Sequence, residues 1–217
     1  AQVGFFQRAN SLKQLPVSNI SSVIERVSFP LFAKIKNDDK KLKDVYKRIL
    51  KIVTYLIAPI LLFMAALGEP LFRLLFTEIW LPAVPYFQIL CWAGILFPIH
   101  SYNLNILKVK GRSDLFLKLE IIKKIIVVIS LVIGYQYGIY GILYSSVVVS
   151  VIAFWINTYY TDKFIDYSSW QQARDILPTL LLALVSAAIV YFLDVQLKDV
   201  LVHDILRLLI PSFGGVL

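Results

Sequence analysis

Apolar residues dominate this chain of 217 residues in long runs, which shorter stretches rich in Lys, Arg and Gly separate. A run of about 20 apolar residues is long enough for a helix to cross the hydrocarbon of a bilayer. Seven stretches approach that length, so the pattern predicts about seven membrane-spanning helices. They cover residues 14–33, 49–67, 80–100, 115–133, 142–160, 176–193 and 203–217.

The composition agrees with this pattern. Hydrophobic residues make up 59% of the chain and its mean hydropathy is +0.73, whereas soluble domains contain about 45–50% apolar residues. We therefore predict an all-α integral membrane protein, a polytopic helical bundle. The net charge of +8 would point to nucleic acid in a soluble protein. Here most of the charges lie between the apolar runs, so we expect anionic membrane lipids as partners and no nucleic acid.

The distribution of positive charge predicts an orientation. Alternating spans place residues 34–51, 101–124 and 161–175 on one side, and these segments together hold 16 Lys and Arg residues. The opposite loops, 68–79, 134–141 and 194–203, hold only Arg73 and Lys198. Basic loops stay on the cytoplasmic side of a membrane. We therefore predict that the three basic segments are cytoplasmic and that the protein lies in a plasma (inner) membrane.

The predicted helix over 14–33 differs from the others because Glu25 and Arg26 lie inside it. At about 100° per residue its polar side chains fall on one stripe, with Arg26 at the edge. The opposite face carries Val and Ile. A charge inside a span usually faces a partner or a wet cavity. Two interpretations stay open: the pair has a structural role, reaching the headgroups near the end of the helix or pairing with a neighbouring helix, or this face lines a substrate path. The candidate path residues are Arg8, Ser11, Ser18, Ser22, Glu25 and Arg26.

No pattern typical of catalysis is present. The sequence has no nucleotide-binding glycine loop, no cluster of His or Cys at metal spacing and no serine-nucleophile motif. We therefore expect no enzyme activity, no metal and no cofactor beyond a coupling ion, H⁺ or Na⁺. His100 and His203 fall at predicted span ends, as interfacial residues. Asn103 and Asn105 follow the predicted span over 80–100, as loop or cap residues. An aspartate, Asp38 or Asp39, is predicted to cap the helix that follows.

Several short motifs resemble those of bacterial polysaccharide flippases, the lipopolysaccharide and O-antigen exporters of the multidrug/oligosaccharidyl-lipid/polysaccharide superfamily. The sequence Gly4-Phe5-Phe6-Gln7-Arg8-Ala9 is followed by Leu15-Pro16 and then by Ile24-Glu25-Arg26-Val27-Ser28-Phe29-Pro30. Further matches are Glu69-Pro70-Leu71-Phe72-Arg73-Leu74-Leu75-Phe76, Trp80-Leu81-Pro82-Ala83-Val84-Pro85-Tyr86, and Asn105 with Lys110-Gly111-Arg112-Ser113-Asp114. Each motif is loose, but their order along residues 1–160 is specific.

The resemblance implies a two-lobed helical exporter of which this chain supplies the second lobe. Residues 1–160 would form the C-terminal transporter lobe, entered partway through its first helix, and residues 161–217 an additional, truncated helix pair. The partner would be the N-terminal lobe of the same chain. The substrate implied is an undecaprenyl-diphosphate-linked oligosaccharide, moved by alternating access coupled to an ion gradient. By motif position, Arg8 and Arg26 are the residues that would hold its diphosphate.

Two alternatives stay open. A multidrug or cation exporter of the same superfamily is expected to have a more acidic or aromatic cavity. A membrane enzyme of the same pathway, such as a polysaccharide polymerase, calls for a large outward loop, but the predicted outward loops have about a dozen residues. The chain begins at Ala1 and ends inside an apolar run, so we expect it to be part of a longer protein.

Overall fold

The computed structural model describes residues 2–197, and all regular structure in that part of the chain is helical. This confirms the predicted all-α fold. The helices, in order, are α1 (Gln2–Lys34), α2 (Asp39–Ala66), α3 (Gly68–Phe76), a 3₁₀ helix (Glu78–Ala83), α4 (Val84–Ile95), α5 (Phe97–Val109), α6 (Ser113–Tyr135), α7 (Gly138–Ile165) and α8 (Ser169–Leu197).

Within residues 2–197, four helical segments are long and apolar enough to cross a membrane. Helices α1 and α6 have sufficient length, but their polar and charged residues keep them out of this group. The predicted number of seven spans is therefore not confirmed, and the seventh, 203–217, lies outside the described residues. The four segments are Asp39–Ala66, Glu78–Val109, Gly138–Ile165 and Ser169–Gln196.

Helix α1 is longer than predicted. The sequence pattern predicts that residues 1–13 end an earlier element or form a loop, and that Pro16 lies in the first turn, but the helix begins at Gln2 and both Pro16 and Pro30 lie inside it. In the hydrocarbon of a membrane no water is present to bind backbone N–H and C=O groups, and a helix pairs them within a single segment. The chain therefore stays helical through a proline. Arg8 and Ser11 therefore belong to the same helix as Arg26.

Helix α2 begins as predicted. Asp38 caps it, and its carboxylate accepts a hydrogen bond from the backbone N–H of Lys41 at 3.0 Å. The helix then runs without interruption from its basic first turns through Pro59 to Ala66. Its apolar side packs against α8, and residues such as Leu50, Ile57 and Leu61 are fully buried there and against neighbouring helices.

The predicted span over 80–100 consists of two helices. Helix α4 ends at Ile95 and α5 begins at Phe97, with Pro98 in its first turn. Because proline has no N–H to donate, this is a natural place for a helix to break. Helix α5 then continues to Val109, so Asn103 and Asn105 lie inside it, and their predicted placement in a loop or at a cap is wrong. His100, which is predicted at a span end, lies inside the same helix.

The three basic segments meet at one end of the bundle, which we call the basic end. Lys110 Nζ donates to the Lys36 carbonyl oxygen at 2.6 Å and forms an ion pair with Asp39. Lys43 reaches Asp166 in the connection between α7 and α8. These contacts place residues from 34–51, 101–124 and 161–175 side by side, as alternating spans require.

A carboxylate holds α2 against α8 at the basic end. Asp175 lies 2.9 Å from Lys47 Nζ and 3.0 Å from Lys51 Nζ, and it accepts a hydrogen bond from the Tyr167 hydroxyl at 2.8 Å. Burial, followed by the hydrogen bond to this carboxylate, raises the pKa of Tyr167 above its ordinary value. The phenol therefore stays protonated and remains a donor at physiological pH.

Helices α6 and α7 pack closely at the opposite end. The predicted turn over 134–141 comprises Gln136 and Tyr137, and a Cβ added at Gly141 would overlap the carbonyl oxygen of Gly134. Ser145 Oγ bridges the two helices, because it lies 2.7 Å from the carbonyl oxygen of Gly141 and 3.1 Å from that of Ser130. The seam thus depends on the absence of a side chain at Gly141.

We expect Gly141→Ala to destabilise the protein by about 1–3 kcal/mol, because the added methyl group forces α6 and α7 apart. The measurement is the thermal unfolding of the full-length protein in detergent. Gly4→Ala is the matched control, since a Cβ there meets no atom within 4 Å. Equal unfolding temperatures for the two variants would contradict this account of the seam.

Candidate functional site

The predicted polar stripe of α1 faces away from the rest of the bundle. Ser11, Ser18, Ser22 and Arg26 are exposed, and Glu25 is partly buried. The helix instead uses another face for packing, whose buried residues are Ala9, Leu12, Val17, Ser21, Ser28 and Phe32. Of the apolar residues predicted opposite the stripe, Val23 and Val27 are 61% and 71% exposed. Helix α1 therefore presents an uncovered polar face and an uncovered apolar face.

The serines of the stripe satisfy their hydroxyl protons locally. Ser18 Oγ donates to the Gln14 carbonyl oxygen at 2.8 Å, and Ser22 Oγ donates to that of Asn19 at 3.0 Å. Such bonds to the preceding turn are usual for serine in a helix. The hydroxyl oxygens keep free lone pairs, so the stripe offers hydrogen-bond acceptors to whatever lies against it.

Glu25 and Arg26 of α1 line a groove near the basic end, which we call the Arg26 groove. It has a volume of about 490 Å³. Three of the candidate residues, Ser22, Glu25 and Arg26, lie in it, together with one residue of α5 that the sequence analysis did not select, Lys108. Two cations and one carboxylate give the groove a positive balance.

Asn105 connects this groove to the interior. Its side chain is 1% exposed, and Nδ2 donates to Glu25 Oε1 at 3.0 Å. The neighbouring Tyr102 hydroxyl donates to the Ser21 carbonyl oxygen at 3.1 Å, so two bonds fix α5 to α1. Sequence reasoning missed Asn105 because it ended the span at His100. The apolar residues that continue from Leu104 to Val109 were the available signal.

A second set of buried polar groups fixes α5 from its other side. Thr161 Oγ1 donates to Asn103 Oδ1 at 2.6 Å, and Asn103 Nδ2 lies 3.3 Å from Gln172 Oε1. These bonds join α5 to α7 and α8 with all three residues buried. Because an unpaired buried polar group is costly, the bonds specify how the three helices meet. They thereby hold Asn105, two residues further along α5, toward α1.

Arg8 and Ser11 lie far from the Arg26 groove. The Arg8 guanidinium is 5.0 Å from the ring centre of Phe76 and 4.8 Å from that of Trp80, a cation–π arrangement. Arg8 and Trp80, with Gly4, Gln7 and Ser11, line a groove of about 290 Å³ at the end of the bundle opposite the basic end. At 1.5 Å per residue Arg8 lies roughly 27 Å from Arg26 along α1. The two arginines therefore cannot hold the same diphosphate in this arrangement.

Within residues 2–197, no group of three or more His, Cys, Asp or Glu side chains is placed to hold a metal ion. The described part of the site thus offers hydroxyl, carboxylate, guanidinium and ammonium groups. Such groups bind charged and hydroxylated molecules through hydrogen bonds and ion pairs.

Comparison with known proteins finds relatives that take part in polysaccharide biosynthesis. A family model described as "Polysaccharide biosynthesis protein" matches residues 1–85. The chain is 28% identical over 170 residues to the lipopolysaccharide biosynthesis protein WzxC of Escherichia coli (strain K12). These 170 residues are 78% of this chain and 35% of the relative. It is 30% identical over 113 residues to the teichuronic acid biosynthesis protein TuaB of Bacillus subtilis (strain 168), covering 52% and 23% respectively.

A third relative is the succinoglycan biosynthesis transport protein ExoT of Rhizobium meliloti (strain 1021). It is 27% identical over 103 residues, which are 47% of this chain and 21% of the relative. The chain thus spans about a third of the length of WzxC and about a quarter of that of TuaB. No solved structure matches the chain significantly.

The apolar helices and these relatives define the class first: the chain is a multi-pass, all-α integral membrane protein. Within that class it is similar to polysaccharide biosynthesis membrane proteins. The matches confirm the resemblance to bacterial polysaccharide exporters that the motifs from Gly4 to Asp114 indicate. The roles of the individual candidate residues stay predictions.

The exposed polar stripe of α1 predicts that its serine positions are accessible to water. In the full-length protein, Ser18→Cys and Ser22→Cys should react with a membrane-impermeant thiol reagent, because a polar face in a membrane protein borders a wet path. Val23→Cys and Val27→Cys are the matched controls on the apolar face and should react at least about tenfold more slowly. The native Cys91 is buried and should stay unmodified. Equal labelling of the serine and valine positions would contradict a polar path along the stripe.

Proposed function

We propose that the full-length protein moves an undecaprenyl-diphosphate-linked oligosaccharide across the inner membrane for cell-surface polysaccharide biosynthesis. The names of WzxC, TuaB and ExoT place those proteins in lipopolysaccharide, teichuronic acid and succinoglycan biosynthesis, and ExoT is named as a transport protein. A chain similar to all three fits a step that their products share. Each of these polymers has sugar units, and a carrier for lipid-linked units serves any of them.

One observation carries the proposal: α1 leaves a polar and cationic face uncovered in a chain whose other exposed helix surfaces are largely apolar. A face that meets only lipid has no use for Ser11, Ser18, Ser22 and Arg26, because each polar group costs free energy in hydrocarbon. The face is therefore suited to a water-filled path. In the full-length protein the N-terminal lobe would supply the opposite wall.

The chemistry of the Arg26 groove suits a lipid-linked diphosphate. A guanidinium can bind two phosphate oxygens at once, and Lys108 adds a second positive charge from α5. Glu25, held by Asn105, can pair with Arg26 when no substrate is bound. The acceptor oxygens of Ser18 and Ser22 continue from this groove along α1 and suit the hydroxyl groups of a sugar.

The substrate would enter near the basic end and leave near Arg8. The basic end is the predicted cytoplasmic side, where lipid-linked sugars are loaded, and Arg26 lies closer to it than Arg8 does. Movement between the two ends fits alternating access, with an ion gradient, of H⁺ or Na⁺, as the energy source. The basic residues in the first turns of α2 would contact anionic lipid headgroups.

The two alternatives receive less support. A multidrug or cation exporter is expected to bind its substrate with acidic or aromatic groups, whereas the Arg26 groove has two cations and one carboxylate. A polymerase of the same pathway would act on the outward side, yet the turn between α6 and α7 has only Gln136 and Tyr137. The names of the relatives, one of them a transport protein, favour transport over catalysis.

The proposed orientation predicts which ends are accessible. In intact cells, Tyr137→Cys in the α6–α7 turn should react with an impermeant maleimide, while Lys41→Cys near the start of α2 should react only after the cells are opened. Both positions are exposed in the structure, so accessibility depends on the side of the membrane. The reverse labelling pattern would overturn the assignment of the basic end to the cytoplasm.

The functional test is complementation. In a strain that lacks its own flippase, the full-length protein should restore surface polysaccharide. Arg26→Ala should reduce it at least about tenfold at equal expression, because a charge-assisted contact to phosphate is lost. Arg48→Ala is the matched control, since this arginine is exposed near the same end but outside the groove. The readout is the amount of surface polysaccharide per cell.

Two results of this experiment would be decisive against the proposal. Full activity of Arg8→Ala and Arg26→Ala combined would overturn the assigned path. Surface polysaccharide that is unchanged after deletion of the gene, in a strain with no redundant flippase, would overturn the functional class.

A further inference from the structure

A second charged groove lies deeper in the bundle, between α1 and α6, with α4, α5 and α7 as its floor. We call it the His100 groove, and its volume is about 330 Å³. Ionisable side chains from three helices line it: Lys13 on α1, His100 on α5, and Glu120, Lys123 and Lys124 on α6. Neither the sequence motifs nor the names of the relatives assign a role to it.

The depth of this groove makes its charges informative. Lys123 lies ten residues after the start of α6, which is about 15 Å along a helix and close to its middle. The Lys123 side chain is 16% exposed, and an ammonium group this far buried is costly unless it has a partner or meets water. Lys123 has a partner, because it forms an ion pair with Glu120. Lys13 and Lys124 form no ion pair with the described residues, so they leave an excess of positive charge.

Lys13 is held in the groove by its own stem. Gly94 of α4 leaves space for it, since a Cβ at position 94 would lie 3.1 Å from Lys13 Cδ and 3.3 Å from Cγ. The aliphatic part of the side chain thus lies against the helix backbone, which leaves the ammonium group as the free end. The packing of the Lys13 side-chain carbons against Gly94 therefore fixes the position of this lysine in the groove.

The hydrogen bonds of His100 determine where its proton lies. Nε2 is 3.3 Å from Ser150 Oγ, and that hydroxyl lies 3.0 Å from the Ala93 carbonyl oxygen, to which it donates. A serine hydroxyl has one proton, so Nε2–H is the donor to Ser150. Nδ1 is then the unprotonated nitrogen, and it is buried without a hydrogen-bond partner among the described residues.

A second proton on Nδ1 would need an acceptor. The charged groups in the same groove are Lys13 from α1 and Glu120, Lys123 and Lys124 from α6, while α7 adds Ser146 and Ser150 and α4 adds Ala93 and Gly94. The single carboxylate already pairs with Lys123. An anion that enters the groove would supply the missing acceptor and would attract the imidazolium, so anion and proton should favour each other.

We propose that the His100 groove binds an oxyanion together with one proton, with Lys13 and Lys124 holding the anion and Nδ1 of His100 holding the proton. The inference rests on the proposed function for the source of the anion, which is the diphosphate of the lipid-linked substrate or the headgroup phosphate of a membrane lipid. It assigns to one transport lobe a site where substrate charge and protons are linked.

The test is isothermal titration of the full-length protein with sodium sulfate, in nanodiscs of zwitterionic lipid at pH 7. Sulfate keeps its charge at neutral pH, so any proton taken up on binding is taken up by the protein. Comparison of two buffers with different ionisation enthalpies gives that proton uptake. We expect sulfate binding with uptake of a measurable fraction of one proton, and tighter binding as the pH falls. Binding without proton uptake, or no binding, overturns the proposal.

Variants test proton uptake and anion affinity separately. His100→Gln should still bind sulfate but without proton uptake. Lys124→Gln should bind about tenfold more weakly, because a charged contact is lost. Lys118→Gln is its matched control, as this lysine lies on the same helix outside the groove. Glu120→Gln removes the negative charge and should tighten binding, a gain that a merely unfolded variant cannot show. Unchanged affinity in both Lys124→Gln and Glu120→Gln overturns the site.

Competition identifies the source of the anion. Displacement of sulfate by farnesyl diphosphate points to the substrate, and loss of sulfate affinity in discs that contain phosphatidylglycerol points to a lipid headgroup. If neither farnesyl diphosphate nor phosphatidylglycerol displaces sulfate, the assignment of the groove to a phosphate-bearing ligand is overturned. Since this assay needs no transport, its failure is distinguishable from a failure of the complementation that tests the proposed function.

Discussion

The cost of leaving a polar group unsatisfied in hydrocarbon is the constraint on which the rest of this structure depends. It keeps α1 helical through Pro16 and makes Ser18 and Ser22 bond to their own helix. It also explains why buried Asn103 has partners on two other helices. A polar face that remains uncovered under this constraint, as around Arg26, has to meet water or protein in the complete molecule. The candidate path follows from that requirement.

Positive charges serve two different purposes at two depths. At the basic end, Lys43, Lys47 and Lys110 pair with aspartates at or near the surface, and such pairs contribute little stability. Their effect is to orient the bundle, since basic segments stay on one side of a membrane. In the His100 groove, half-buried Lys13 and exposed Lys124 have no such partner among the described residues. There the same charge is a binding feature, because both ammonium groups line one groove and an anion between them can neutralise both.

Much of the fold was predictable from the sequence, because apolar runs and the capping and turn residues between them are local signals. Helices α2, α6, α7 and α8, the aspartate cap and the turn before Gly138 follow from them, whereas the break between α4 and α5 and the extent of α5 do not. The start of α1 was not predictable, since Gly4, Arg8 and Pro16 are equally typical of a loop. The partners of Glu25 and the setting of His100 were also beyond reach. Sequence periodicity gives the angle of a residue on its own helix, but the neighbour that it meets depends on how several helices pack.

Helix α1 takes part in both the Arg26 groove and the His100 groove, and this has a geometric consequence. Arg26 and Lys13 are thirteen residues apart, about 20 Å along the helix and on different faces of it. Pro16 lies between them inside the helix. A proline removes one backbone hydrogen bond and allows a helix to bend at that point. The two grooves are thus built on one element that bends most easily between them, so a change in the shape of α1 would alter their relative position without unfolding either.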